Sequence, residues 1–401
     1  MNSATQAQVD VAIIGGGIQG LVALNALVDK GYSCVLVSDG DLGSGQTLHS
    51  HGYLNTGFGM SGPELPRASA QVVQPYLEQR GLELSHDWVL IPPPGMPFFE
   101  ALPTATLPSD FVAPAGFGVV RLPDRGLPKR RLVEILSHNL HDRILLGHAT
   151  PLLSGSRVEG VSVHVLGDGG AVVLATKAIV IAAGCGSKRL LQSLVGPTPQ
   201  TERIKHRLVH MICVRAPRGS LPTTSIVAMP LGLMLAAHDQ PKNITWYVTP
   251  MVMGAPSYDD IPGDAAGGVD PEMVSRGCTS LLTLFPRLPD VDGLLIGCYA
   301  GYRQDIGDQP GNRLCELVEG TDNAIIALPS GLVGPWLNAT RICEIVGGLA
   351  DPSGSQPAVP GGGAGIVVGD AVEDRPDFVW MSWDEWSRIY PQPLVQGLRK
   401  T

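Results

Sequence analysis

The chain lacks the cysteine pattern of a disulfide framework or of a zinc site. Its 401 residues contain seven cysteines, an odd number, scattered from Cys34 to Cys343 without a C-x-x-C pair. Disulfide frameworks and zinc sites need paired cysteines or closely spaced ligands. The scattered thiols therefore indicate reduced, mostly buried cysteines, and we expect the protein to be cytoplasmic.

A basic excess, a long apolar run and an export signal are also missing. Lysine and arginine total 28 against 37 aspartates and glutamates, and the formal net charge of -9 argues against a general nucleic-acid-binding surface. The longest apolar stretch, residues 226–237, is interrupted by Pro230 and is shorter than the roughly 20 residues of a membrane helix. The polar lead of residues 1–8 leaves no room for a signal peptide. We expect no transmembrane segment, no membrane partner and no nucleic-acid partner.

The N-terminal stretch contains a strand, a glycine turn and a helix. Val9 and residues 11–14 form an apolar run of strand length, as expected for a parallel strand covered on both faces. Gly15, Gly17 and Gly20 follow with G-x-G-x-x-G spacing, which permits a tight turn, close approach of a pyrophosphate and close helix packing. A helix ending near Gly31 and a second strand at residues 35–37 complete the unit. The pattern predicts a dinucleotide site with its phosphates at the helix N-terminus.

Further motifs give this unit a family resemblance. Residues 10–20, the Asp41-Leu-Gly-Ser-Gly turn and Thr47-x-His-Ser-x-Gly52 resemble the FAD-dependent D-amino-acid oxidase superfamily, which includes glycine and sarcosine oxidases, dimethylglycine dehydrogenases and L-2-hydroxyglutarate oxidases. The resemblance implies an α/β fold with a Rossmann-like FAD-binding domain built on a parallel sheet. An inserted α+β substrate domain, with a mostly antiparallel sheet, completes it. We assign residues 1–85, 120–200 and 320–401 to the FAD-binding domain, and residues 86–119 and 201–319 to the substrate domain.

Two later stretches resemble the points where this superfamily's chain returns to FAD. An apolar strand at residues 178–183 runs into Gly184 after an alternating hairpin at residues 158–175. Residues 323–334 form a strand and a glycine loop, and Pro335 suits the first turn of the next helix. Backbone N–H groups there would stabilise negative charge on a reduced flavin. The implied cofactor contacts come from Gly15, Gly17, Ile18, Gln19, Gly20, Ser38, Asp39, Thr47, His49, Ser50, Ala183, Gly184, Gly331, Leu332, Val333 and Gly334.

The end of the second strand departs from the superfamily pattern. Relatives usually carry a glutamate there that holds the adenosine ribose hydroxyls, and that position falls on Ser38, with Asp39 next to it. Either Ser38 makes a neutral hydrogen bond, or Asp39 takes the role by a shift of one residue. A charged acceptor makes the stronger hydrogen bond, which favours Asp39.

Two histidines lie in the stretch predicted to pass the flavin. Residues 46–57 align without gaps with this stretch in L-2-hydroxyglutarate oxidases. They also resemble the dimethylglycine dehydrogenase segment whose histidine, here His49, is covalently bonded to FAD. We expect His49 to hydrogen-bond the loop or a non-covalent FAD, with a covalent link through His49 as the alternative. His51 has an unperturbed pKa near working pH and is a candidate base.

The candidate substrate-binding residues lie near position 300. Gly301-Tyr-Arg303 occupies the position where amino-acid-oxidising relatives often carry Gly-x-Arg. An arginine there can hold a substrate carboxylate through two parallel charge-assisted bonds, whereas the alternative is a surface or interdomain salt bridge. Tyr302 is a further candidate for lining the catalytic pocket.

The resemblance implies an oxidase that transfers hydride from a substrate carbon to flavin N5, with the flavin performing the redox chemistry. The first hypothesis is oxidation of a small-molecule amine, an amino acid or secondary amine whose carboxylate binds Arg303. The second is oxidation of a 2-hydroxy acid or another alcohol, which would need His51 as a base. The third is a dinucleotide-binding protein without turnover. Three tryptophans between residues 380 and 386 indicate a C-terminal tail docked on the body or on a second subunit, so a homo-oligomer is compatible with the sequence.

Overall fold

The computed structural model describes residues 5–54, 67–85, 87–95, 102–167, 170–251, 257–259, 268–307, 313–329, 331–355, 357 and 362–390. The last three residues of the aligned stretch 46–57 lie outside this set. Within the described residues, helices and sheets are both present, which confirms the α/β fold class.

The strands of the described residues form two large sheets and a small two-stranded sheet of β3 and β6. In chain order they are β1 (Thr5–Ile14), β2 (Cys34–Ser38), β3 (Tyr53–Leu54), β4 (Trp88–Ile91), β5 (Val120–Arg121), β6 (Arg125–Gly126), β7 (Ile144–Ser154), β8 (Arg157–Val165), β9 (Ala171–Ile181), β10 (Ile204–Pro217), β11 (Ser225–Ala228), β12 (Leu233–Asp239), β13 (Asn243–Pro250), β14 (Ser257–Tyr258), β15 (Leu295–Ile306), β16 (Leu314–Leu317), β17 (Ala324–Leu328) and β18 (Met381–Ser382).

Helices pack on these sheets and connect several of the loops that are discussed below. In chain order they are α1 (Ile18–Asp29), α2 (Gln46–His49), α3 (Gln74–Gln79), α4 (Lys129–Ser137), α5 (Ser187–Val195), α6 (Pro199–Glu202), α7 (Pro271–Leu284), α8 (Gly334–Leu349) and α9 (Trp383–Ile389).

The first sheet has the parallel core predicted from the N-terminal unit. Strands β7, β2, β1, β9 and β17 lie side by side and parallel, and β16 adds an antiparallel edge. Alternate residues of strand β1 point to opposite faces of the sheet. Val11 and Ile13 pack with α1, α4 and α8, while Ala12 and Ile14 pack with residues of β7, β8 and β9, which form an antiparallel meander. Strand residues covered on both faces are mostly apolar, which explains the apolar run of residues 11–14 at the end of β1.

The second sheet is mostly antiparallel and is built around the long strands β10 and β15. Its strand order is β18, β15, β10, β13, β12, β11, β4, β5, with β11 and β4 parallel. One face, including Ile212, Val214 and Trp246, is covered by α7. The opposite face carries Met211 and Tyr299, and the Tyr299 hydroxyl donates to the carbonyl oxygen of His49, the last residue of α2. The second sheet therefore places one face against the loop predicted to pass the flavin.

The C-terminal tail differs from the sequence-based domain division, which assigned it to the FAD-binding domain. Strand β18 pairs with β15 of the second sheet, and the side chain of Trp386 is fully buried in the core beneath that sheet. Burial of a large aromatic surface stabilises this position. The tail therefore docks on the body of the same chain. Among the helices described, none is long and apolar enough to cross a membrane.

Candidate FAD and substrate site

The predicted glycine turn brings two of the sequence motifs into contact. Gly15 has a φ of +124°, and its N–H donates to Val37 O at 2.8 Å. A Cβ atom at Gly15 would lie 2.3 Å from Ala182 O, so no larger residue fits without movement of the backbone. The N–H of Ala182 donates to Ile14 O at 2.8 Å. The loops after β1 and β9 therefore meet at the carboxyl edge of the parallel sheet, where α/β proteins bind nucleotides.

The N-terminus of α1 is open and suited to an anion. Gly17 precedes the helix, and the nearest atom to a Cβ placed there is Thr47 Oγ1 at 3.4 Å. The first turn contains no acidic residue, and the N–H of Ile18 donates to the same Thr47 hydroxyl at 3.0 Å. A Cβ at Gly20 would lie 1.9 Å from Gly15 O, so this glycine permits the helix to pack against the turn. Free N–H groups at a helix start fit the pyrophosphate of FAD.

The side chain of Gln19 joins two helices. Its Oε1 accepts a hydrogen bond from Asn338 Nδ2 of α8 at 2.9 Å, and both residues are buried. Its Nε2 atom is buried without a hydrogen-bond partner among the described residues, so the backbone and this amide nitrogen of Gln19 remain available to a ligand. The sequence carries no signal for this pair because its members lie at opposite ends of the chain.

The two candidates for binding ribose occupy different environments. Ser38 is buried, and its hydroxyl donates to Gly40 O at 2.7 Å. A Cβ at Gly16 would lie 2.2 Å from Ser38 Oγ, so a larger side chain than serine would crowd the turn. Asp39 is exposed at the end of β2 and makes no hydrogen bond or ion pair with the described residues. The carboxylate of Asp39 is therefore the acceptor that remains available.

The remaining predicted cofactor loops lie at the ends of β9 and β17. Gly184 has a φ of +53°, and a Cβ there would lie 3.3 Å from Gln46 Oε1 of α2. Gly331 has a φ of +58°, and Leu332 and Val333 are buried just before α8. Helix α8 begins at Gly334 with proline in its first turn, as predicted. Neighbouring parallel strands β1, β9 and β17 thus carry all three glycine loops at one edge.

His49 lies between the FAD-binding domain and the second sheet. Its carbonyl oxygen accepts a hydrogen bond from Tyr299 OH at 2.8 Å, and its Nε2 atom is buried without a hydrogen-bond partner among the described residues. A Cβ at Gly301 would lie 3.4 Å from His49 Nδ1. Burial lowers the pKa of His49 to about 4, and the nearby Arg375 and Lys129 charges lower it further. The ring is therefore neutral at pH 7, with one nitrogen open to a ligand.

The other predicted loop residues have local partners. His238 of β12 contacts His51 O through its Nε2 atom at 2.8 Å, and Ser50 Oγ donates to Thr47 O at 2.8 Å. The Nδ1 atom of His51 is buried and has no hydrogen-bond partner in the described part of the chain. Burial, followed by the charge of Arg303, lowers the pKa of His51 to about 3. A group with so low a pKa is neutral at pH 7 and is a weak base.

The two candidate substrate-binding residues, Arg303 and Tyr302, lie on opposite faces of strand β15. The strand continues to Ile306, so residues 301–305 alternate between its two faces. Tyr299, Gly301 and Arg303 share the face turned towards His49. Tyr302 projects from the opposite face, with its ring 6.4 Å from that of Tyr258. This arrangement corrects the prediction that Tyr302 lines the same pocket as Arg303.

A buried ionic cluster, which the sequence did not predict, supports the loop that is predicted to pass the flavin. Lys129 Nζ donates to Leu48 O at 3.0 Å, lies 3.8 Å from Glu373 Oε1 and sits 4.0 Å from the centre of the Tyr247 ring. The hydroxyl of Tyr247 also hydrogen-bonds Glu373. Burial lowers the pKa of Lys129, while the Glu373 carboxylate acts in the opposite direction. The sequence gives no sign of this pair, because Lys129 looks like any other charged residue of a helix. Glu373 lies far away along the chain, in the C-terminal tail.

The glycine loops at one sheet edge, faced by a second sheet with an arginine, form the arrangement expected of a dinucleotide-binding fold. Residues 10–108 match the family described as DAO: FAD dependent oxidoreductase. This match over residues 10–108 confirms the resemblance to FAD-dependent oxidoreductases that the motifs predicted.

Individual relatives extend the similarity beyond this segment. A probable FAD-dependent oxidoreductase of Pseudomonas aeruginosa is 28% identical over 241 residues, which are 52% of this chain and 58% of that protein. The crystal structure of an FAD-dependent oxidoreductase from the same organism covers 92% of this chain and 98% of its own, with a TM-score of 0.69 and 22% identity. Glycine oxidase from Geobacillus kaustophilus covers 86% and 96%, with a TM-score of 0.66 and 18% identity. L-amino acid deaminase from Proteus myxofaciens covers 88% and 93%, with a TM-score of 0.65 and 14% identity.

Proposed function

We propose that this protein is an FAD-dependent oxidase of a small-molecule amine, an amino acid or secondary amine whose carboxylate binds Arg303. The position of Arg303 carries the proposal. This side chain lies on the face of β15 turned towards His49, is 43% exposed, and is anchored from behind by Asp305, 3.4 Å from its Nε. A planar guanidinium held at one edge presents its other nitrogens to a carboxylate in a bidentate geometry.

The names of structural neighbours support an amine substrate. Glycine oxidase and L-amino acid deaminase are named for reactions of amino acids, and an L-proline dehydrogenase and an iminodiacetate oxidase are among the further neighbours. These similarities establish the fold, and the choice of substrate for this chain rests on Arg303.

The residues at the sheet edge fit FAD bound without a covalent link. The backbone at Gly15 and Gly17 and the start of α1 would hold the pyrophosphate, and Asp39 would hold the adenosine ribose. The remaining contacts are assigned to the loops ending at Gly184 and Gly334. When bound, FAD supplies the hydride acceptor, so the protein is required to orient the substrate and exclude water.

Protein groups around the substrate have separate roles in this proposal. Arg303 fixes the carboxylate and thereby the direction of the adjacent carbon. His49 and His51 stay neutral at pH 7 and offer unpartnered ring nitrogens without adding positive charge. A neutral amine needs no strong base, whereas an alcohol does. The depressed pKa of His51 therefore gives less support to oxidation of a 2-hydroxy acid.

Replacement of Arg303 by methionine tests the substrate proposal. A panel of amines, amino acids and 2-hydroxy acids, scored by anaerobic bleaching of the flavin, first identifies the best substrate. Loss of the charge-assisted bonds should then raise KM for a carboxylated amine by about 10- to 100-fold. Arg276→Met, on the exposed surface of α7, is the matched control and should leave KM unchanged. An unchanged KM in Arg303→Met would remove the assignment.

Acid precipitation tests how FAD is held. The glycine loops supply contacts for FAD without a covalent bond, so we expect acid-treated wild-type protein to release yellow FAD into the supernatant. A yellow pellet from the wild-type protein but not from His49→Ala would instead show a covalent link through His49. Absorbance of both fractions near the flavin maximum is the measurement.

A further inference from the structure

Two arginines share one buried aspartate beside the His49 to His51 segment. Arg207 of β10 lies directly opposite Arg303 of β15 in the antiparallel ladder, so both side chains project from the same face. Like charges in directly opposed positions destabilise a sheet. Asp305 supplies the counter-charge, with its Oδ2 2.6 Å from Arg207 Nη2 and its Oδ1 3.4 Å from Arg303 Nε.

The burial of these three residues differs in a way that matters for binding. The side chain of Asp305 is 2% exposed, that of Arg207 is 20% exposed and that of Arg303 is 43% exposed. Asp305 therefore lies beneath the arginines, and Arg303 is the most accessible member. Arg303 donates no hydrogen bond to another residue in the described part of the chain, so its terminal nitrogens are open to a ligand.

We propose that Asp305 sets this cluster to a single positive charge and thereby selects substrates with one carboxylate. The inference rests on the proposed function, which places a carboxylate on Arg303. Two guanidinium groups and one carboxylate leave a net charge of one. One substrate carboxylate neutralises that charge, whereas a second would remain unpaired in a partly buried site, where an unpaired charge is unfavourable.

Three variants change the charge of the cluster in steps. Asp305→Asn keeps the shape of the side chain and leaves two positive charges. Arg207→Met leaves none, and the double variant Arg207→Met with Asp305→Asn restores one. The double variant also removes the unpaired buried arginine that could prevent Asp305→Asn from folding. Asp239→Asn is the matched control, because Asp239 is an exposed carboxylate of β12 that pairs with Arg218 and not with either arginine of the cluster.

Butyrate and succinate are suitable probes because they carry one and two carboxylates on the same four-carbon chain and have no amine to oxidise. Their Kd values for the FAD-bound protein are measured from the change in the flavin absorption spectrum. We expect wild-type protein to bind butyrate at least about tenfold more tightly than succinate. Asp305→Asn should shift the ratio towards succinate by at least about tenfold, and the double variant and Asp239→Asn should keep the wild-type preference.

The outcomes separate the two proposals. If wild-type protein binds neither anion, the carboxylate site itself is absent, and both the proposed function and this inference fail. If butyrate binds through Arg303 but the ratio is the same in Asp305→Asn and wild-type protein, only the selection by Asp305 fails. A double variant that retains the succinate preference of Asp305→Asn would also overturn it, because its net charge equals that of the wild-type cluster.

Discussion

Replacing Lys129 by methionine is expected to lower the free energy of unfolding by about 3–5 kcal/mol, because removal of one member of a buried ion pair leaves the other charge uncompensated. The side chains of Lys129 and Glu373 are 4% and 1% exposed, so water cannot replace the lost partner. Methionine retains most of the length and apolar contact of the lysine stem. The expected loss therefore comes from the stranded carboxylate and from the lost hydrogen bond to Leu48 O.

Denaturant unfolding of the FAD-bound protein measures this effect against two further variants. Arg130→Met removes an exposed positive charge from the same helix and should cost less than about 1 kcal/mol. The double variant Lys129→Met with Glu373→Gln removes both buried charges and should recover much of the lost stability. A double variant as unstable as Lys129→Met alone would contradict the explanation, since no stranded charge would then remain.

The same substitution should weaken FAD binding. Lys129 donates a hydrogen bond to the carbonyl oxygen of Leu48, the residue before His49. Its ion pair with Glu373 thereby connects the loop predicted to pass the flavin to the C-terminal tail. Arg375, two residues further along, donates to Ser44 O at 3.3 Å and ties the tail to the start of the same loop. The tail therefore belongs to the second sheet by its strand pairing, yet it supports the loop that is predicted to pass the flavin.

Local sequence pattern was sufficient for the features that depend on short stretches of chain. The strand, glycine turn and helix around Gly15 were predictable because each residue interacts with near neighbours. The Lys129 and Glu373 pair was not, because charged residues are mostly exposed and nothing near either residue in the sequence indicates burial. The prediction for Tyr302 was wrong for a different reason: it did not take into account that residues 301–305 belong to strand β15, in which adjacent residues point to opposite faces.

The substitution with the largest expected effect on the cofactor site is Gly15→Ala. A non-glycine residue is strained at a φ of +124°, and its Cβ would lie 2.3 Å from Ala182 O and 2.6 Å from the Ala182 carbonyl carbon. These atoms belong to the backbone at the end of β9, so relief requires separation of two paired strands. We expect destabilisation of at least about 3 kcal/mol and loss of measurable FAD binding.

Gly17→Ala separates the role in folding from the role in binding. Gly17 has a φ of -80°, and the nearest atom to its Cβ is Thr47 Oγ1 at 3.4 Å, so alanine should change stability by less than about 1 kcal/mol. The added methyl group would still occupy the approach of the pyrophosphate, and the Kd for FAD should rise by about tenfold or more. Gly45→Ala, with no atom within 4 Å of its Cβ, is the control and should alter neither property. If Gly17→Ala binds FAD as tightly as wild-type protein, in flavin fluorescence titrations of the apoprotein, the pyrophosphate does not lie at the start of α1.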